Sequence, residues 1–153
     1  MAKIETKEQQ SSTKTQIELH MRADPEYLCV ARAVVRQVFR IAGLEEDKCE
    51  LVALGVEEAL TNVIRHSYGG PCDKPIIVKL SRIDHYHKNG PALEIAIRDF
   101  GRQVDPKNIK AKEPDELRPG GRGVHIMESV MDEVGFSRAD DCGMELRMVR
   151  CIT

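Results

Sequence analysis

The sequence has no tryptophan, and aromatic residues make up only 4% of its 153 positions. Its core must therefore be built mainly from Ile, Val, Leu, Met and Ala. No run approaches the roughly 20 apolar residues that a membrane-spanning helix needs. The opening segment Met1-Ala2-Lys3-Ile4-Glu5-Thr6-Lys7 leads into no apolar stretch, which argues against a secretory signal. A dominant charge is also lacking. Lys+Arg number 23, Asp+Glu 25, and the net charge is -2 with both signs mixed along the chain. Nothing in that balance points to direct nucleic-acid binding or to a polybasic membrane contact. The five cysteines, Cys29, Cys49, Cys72, Cys142 and Cys151, form no Cys-x-x-Cys pair, and their number is odd. That usage suits a reduced cytoplasmic setting, with most thiols acting as small buried hydrophobes. No Cys/His cluster has zinc-ligand spacing, and His85 and His87 have no third ligand near them. A Gly-Lys-Ser/Thr phosphate loop is missing, as is the protein-kinase motif set.

What is present is 41% hydrophobic content, enough for one core in two layers. With no repeat and no linker, residues 13–153 read as a single domain behind a polar, frayed segment 1–12. Thr15 to Met21 alternates polar and apolar residues, as a half-buried strand does. Asp24 and Pro25 read as N-cap and first turn of a helix running through Val30, Val34, Val35 and Val38 to near Gly43. Arg32, Arg36 and Arg40 share its solvated face. A second helix spans from near Glu45 to about Ser67, with apolar Leu51, Leu54, Ala59 and Val63, and Gly69-Gly70-Pro71 closes it. Strands are expected over 75–83 and 92–98, around a polar turn at 84–91. The polar stretch 101–119 has the length of a functional or mobile loop. A helix over 124–134, a strand at 135–137, a turn at Asp140 to Gly143 and a strand over 144–149 complete the chain. Alternating βα units are too few for a doubly wound sheet. The expected fold is a two-layer α/β sandwich, with a mixed, mainly antiparallel sheet and helices on one face.

The chemistry-bearing residues fall on three segments. On the second helix, Glu58, Asn62 and His66 are spaced by four and stack turn above turn. An amide oxygen such as that of Asn62 can coordinate Mg²⁺. A glutamate one turn away can orient or deprotonate an attacking hydroxyl. The plain alternative is a solvated helix end, with His66 meeting the helix dipole. Asp99-Phe100-Gly101 follows a strand. There a carboxylate could accept from an adenine amino group, with Gly101 letting the base approach, or the segment could be a simple turn. Gly120-Gly121-Arg122-Gly123 precedes a helix, where backbone amides and the dipole favour phosphate. Arg118 and Arg122 either pair with phosphate oxygens or are solvated.

The order of these segments resembles the Bergerat-fold, or GHKL, ATPases: histidine kinases, type II topoisomerases, the MutL repair protein and the ninety-kilodalton heat-shock chaperone. More closely it resembles their anti-sigma-factor serine kinase branch, over nearly the whole chain from about residue 15. Glu58-Ala59-Leu60-Thr61-Asn62 matches the N-box, Asp99-Phe100-Gly101 the first glycine box and Gly121-Arg122-Gly123 the second. The stretch from Met127 to Val134 is similar too. The resemblance implies Glu58 as general base, Asn62 as Mg²⁺ ligand and His66 beside the nucleotide. It also implies Asp99 and Gly101 at the adenine, Gly121 and Gly123 at the phosphates, and Arg118 and Arg122 on the transferred group. ATP would lie between the helices and a lid over 102–120. One departure is Gly143-Met144, where the family usually has Gly-Thr.

The implied activity is Mg²⁺-dependent transfer of the ATP γ-phosphoryl group to a Ser or Thr of a STAS-domain anti-anti-sigma protein. The implied second partner is a sigma factor held inactive during stress regulation of transcription, and the implied assembly is a homodimer. Two alternatives stay open: a stressosome-type switch kinase without sigma binding, and a nucleotide-sensing module without catalysis.

Overall fold

In the computed structural model the described residues are 12–109 and 122–152, the side chains of 122–124 excepted. The expected frayed start therefore lies outside them, apart from residue 12. Strand β1 (Thr13–Ala23) alternates exposure from Ile17 onward, as a half-buried edge strand should. Asp24 then caps a single 3-10 turn, its carboxylate accepting from Glu26 N at 3.0 Å. The α-helix proper, α1 (Leu28–Ile41), begins three residues after Pro25. Leu28, Ala31, Val35 and Phe39 are its buried stripe, whereas Val30 is 52% exposed. Gly43, at φ +96°, ends it.

Helix α2 (Glu46–Asn62) packs beside α1 and buries Cys49, Val52, Ala53, Val56, Ala59 and Leu60. Leu51, placed among the apolar positions from sequence, is exposed instead. The arginine row of α1 does more than face solvent. Arg32 reaches Glu57 at 2.9 Å, Arg36 reaches Glu50 at 2.8 Å, and Arg40 Nε reaches Glu46 at 2.8 Å. These three rungs tie α1 to α2 and hold the Glu46 and Glu50 carboxyls below the usual carboxylate range. The helix continues to Ser67 as expected, but its last turn, Val63–Ser67, is a π turn, closed by Tyr68 N to Val63 O at 3.1 Å.

The remaining elements are β2 (Cys72–Ile83), β3 (Ala92–Arg98), a 3-10 turn at Pro106–Asn108, α3 (Arg122–Val130), β4 (Glu133–Arg138) and β5 (Met144–Cys151). Helix α3 stops short of the expected Val134. Met131 N closes its last turn on Met127 O, and Glu133 already belongs to β4. The period-two placement of Val134 and Phe136 against the core outweighs continued helix there.

The sheet order is β1-β2-β3-β5-β4. All four pairings are antiparallel, so the mixed component expected of this sheet is absent among the described residues. The reason is topological. β3, α3 and β4 form a crossover, but β5 turns back from β4 and inserts between the two strands that would have paired in parallel. Register aligns Ile17, Leu80, Ile95, Met148 and Val134 in one row, and Leu19, Val78, Ile97, Leu146 and Phe136 in the next. Both rows face the three helices and form the main core with them. Among the described residues, charged side chains such as Glu94, Glu133 and Arg147 pair on the other face.

Candidate functional site

The C-terminal end of the second helix, the end of β3 and the start of β5 lie at the same edge of the sandwich, and they line a cavity of about 360 Å³. Asn62, His66 and Ser67 line one wall. Ile97, Phe136, Met144 and Leu146 line the sheet side, with Met127 of α3. Val104, Asn108 and Ile109, from the segment after β3, close a third side.

The polar floor is Asp99, 3% exposed. A buried carboxylate needs donors, and Asp99 has three. Its Oδ1 accepts from Gly101 N at 3.0 Å and from Met144 N at 3.3 Å. Its Oδ2 accepts from the Ser67 hydroxyl at 3.3 Å. Two glycines make that geometry possible. Gly143 sits at φ +73°, and a Cβ there would overlap the Asp99 carbonyl. A Cβ at Gly101 would overlap the Ser67 carbonyl, so the close approach that demands glycine at 101 is to the helix end.

Two further side chains brace this floor. Arg98 donates to the carbonyls of Asp99 and Cys142, and its guanidinium lies 4.2 Å from the Phe100 ring centroid. The Tyr68 hydroxyl accepts from Phe100 N at 2.8 Å and donates to Pro75 O at 2.6 Å. It thereby links the helix end, β2 and the Asp99 loop.

Of the residues picked out from sequence, Asn62, His66 and Asp99 meet at this one cavity. Gly101 lies beside it, bonded to Asp99. Glu58, half-buried one turn before Asn62, is not among the lining residues. Gly123 and the backbone of Arg122 begin α3. Arg118, Gly121 and most of the expected lid lie outside the described residues, as does the Arg122 side chain.

Sequence reasoning missed Ser67, Tyr68, Arg98 and the apolar wall. Ser67 stands five residues after Asn62, a spacing that faces the same cavity only through a π turn, and no periodicity announces one. Tyr68 carried one signal, a lone aromatic between a helix end and Gly69-Gly70.

A profile of the histidine kinase-like ATPase domain matches residues 21–150. The serine-protein kinase RsbW of Staphylococcus epidermidis is 30% identical over 149 residues, covering 92% of this chain and 89% of that protein. The Staphylococcus aureus (strain MRSA252) RsbW is 31% identical over 144 residues, covering 89% and 86%. Among solved structures, the SiaB-SiaC complex from Pseudomonas aeruginosa is similar with a TM-score of 0.64 at 15% identity, covering 89% of each chain. The histidine kinase domain from the Erythrobacter litoralis EL346 blue-light activated kinase gives 0.50 at 17% identity, covering 86% of this chain and 62% of that one. At such identities these two likenesses speak for the fold alone.

Proposed function

Because this chain belongs to the histidine kinase-like ATPase family, in the branch of the serine-protein kinase RsbW, we propose that it is an anti-sigma regulatory serine/threonine kinase. It transfers the ATP γ-phosphoryl group to a STAS-domain anti-anti-sigma partner and holds a sigma factor inactive. The observation that carries the ATP site is the placement of Asn62 and the buried Asp99 around one cavity.

The donor set suits an adenine nucleotide. Asp99 still has acceptor capacity towards an amino group, and Ile97, Phe136, Met144 and Leu146 offer apolar surface to a base. Asn62 would hold Mg²⁺ through its amide oxygen. Among the described residues no three His, Cys, Asp or Glu side chains form a metal cage, a pattern in keeping with a metal held largely by its nucleotide. That ion would supply charge neutralisation at the phosphates. His66 would stand beside the nucleotide. Glu58 would take the proton of the partner hydroxyl as the new O–P bond forms and ADP departs. Gly121 and Gly123 would offer amides to the phosphates, and Arg118 and Arg122 would offset charge on the transferred group. The chain acts as one domain from residue 13, in the cytoplasm, as a homodimer. In support of the location, no helix among the described residues is long and apolar enough to cross a membrane.

A second reading, nucleotide sensing without transfer, is favoured by one observation: Glu58 does not line the cavity. Calorimetric titration with ATP and ADP, with and without Mg²⁺, beside Asn62→Ala tests the site. Mg²⁺-dependent binding that is lost in the variant supports it, and no binding in the native protein refutes it. Phosphotransfer to a STAS-domain protein then separates kinase from sensor, and a sigma-factor pull-down separates the anti-sigma circuit from the switch kinase.

A further inference from the structure

The number of N–H donors that Asp99 can still accept decides which base suits the cavity. A carboxylate offers about four acceptor sites over its two oxygens. Both sites on Oδ1 are taken by backbone amides, Gly101 N and Met144 N, which no side-chain change removes. One site on Oδ2 is taken by the Ser67 hydroxyl. Met144 brings no hydroxyl of its own, so the hydroxyl on this carboxylate comes from the helix end across the cavity. Ser67 is held there: its carbonyl accepts Arg102 N at 3.1 Å, and the Gly101 backbone packs directly against that carbonyl.

We infer that Ser67 selects the base, because its hydroxyl fills one Oδ2 site and leaves Asp99 a single opening for an N–H donor. This rests on the nucleotide-binding function proposed for the cavity. Adenine presents one amino group beside a ring acceptor. Hypoxanthine presents N1–H alone. Guanine presents two adjacent donors, N1–H and its 2-amino group. The first two bases are satisfied by one opening, whereas guanine's second donor is left the neutral Ser67 oxygen in place of a carboxylate oxygen. Exchanging a charged acceptor for a neutral one lowers affinity by about tenfold. Without the Ser67 hydroxyl both Oδ2 sites are open, and the two guanine donors can converge on that oxygen.

The test is calorimetric titration of the native protein, Ser67→Ala and Ser67→Cys with the Mg²⁺ complexes of ATP, ITP and GTP. ITP differs from GTP only in lacking the 2-amino group, so their ratio isolates the second donor. The native protein should bind GTP about tenfold more weakly than ITP, and in both variants the gap should shrink to about twofold. Cysteine keeps the bulk of the side chain while its thiol is a weak donor. A gap that closes in Ser67→Ala but persists in Ser67→Cys would assign the effect to size and overturn the inference. Equal affinities for ITP and GTP in the native protein, or a gap unchanged in both variants, would overturn it too, while leaving nucleotide binding intact. Failure of the native protein to bind any of the three would instead overturn the nucleotide site itself.

Discussion

Gly143 packs directly against the carbonyl of Asp99, with no room for a Cβ between them. The same turn brings Met144 N onto the Asp99 carboxylate at 3.3 Å and Met144 O onto Asp99 N at 3.0 Å. The floor of the cavity is thus set by the loop between β4 and β5, remote from it in sequence. Gly143→Ala adds both a clash with backbone and a strained positive φ, and it should cost about 2–4 kcal/mol of stability. Thermal denaturation checks this. A melting temperature equal to the native value would mean the turn is free to move.

Asn62 and Glu58 are assigned different tasks and should fail differently. Asn62→Ala should weaken Mg²⁺-dependent ATP binding by about tenfold or more, since it removes the proposed metal ligand. Glu58→Ala should leave binding nearly unchanged and lower phosphotransfer by about 100-fold or more. Calorimetry and a single-turnover transfer assay read the two effects separately. Loss of ATP binding in Glu58→Ala, with transfer per bound complex unchanged, would remove Glu58 from the role of base.

The Tyr68 hydroxyl both accepts from Phe100 N and donates to Pro75 O. Tyr68→Phe leaves the part-buried Phe100 N without its acceptor, at a cost of about 1–3 kcal/mol. Because Phe100 sits between Asp99 and Gly101, ATP affinity should fall together with stability. Urea unfolding beside calorimetry checks both. A destabilised variant with native ATP affinity would show that Tyr68 braces the fold without positioning Asp99.

Burial, reinforced by the hydrogen bond to Glu133 at 2.7 Å, pushes the Tyr86 phenol up to about 12. An unfolded tyrosine titrates near about 10. A folded-state value above the unfolded one means that Tyr86 contributes its stability in full below about pH 10 and loses it as pH rises towards 12. Denaturation at pH 9 and pH 11 should therefore show a larger loss for the native protein than for Tyr86→Phe. Equal losses would place the alkaline sensitivity elsewhere.

Much of this molecule was legible because it is written at short range. The alternation of Ile76, Val78 and Leu80 marked a core face, and register carries that face across all five strands. Asp24 before Pro25 marked a cap, and the cap is there, although the turn it starts is 3-10 before it becomes α-helical. Glu58, Asn62 and His66 were visible as a four-residue spacing, and Asp99-x-Gly as a strand end.

Other features carry no local signal. The sequence reads as helix up to Val134, and only the docking of Val134 and Phe136 on the core turns the chain to strand at Glu133. The arginines of α1 have a solvated pattern, and only the proximity of α2 turns them into rungs. What the sequence by itself determined is most of the elements, the main faces they bury and the candidates Asn62, His66 and Asp99, because periodicity and capping act over a few neighbouring residues. The tertiary structure alone decided that β5 inserts between β3 and β4, that a π turn points Ser67 at Asp99, and that Gly101 and Gly143 are needed for backbone contact. Each of these depends on a partner far away in the chain, and a distant partner leaves no mark on local spacing.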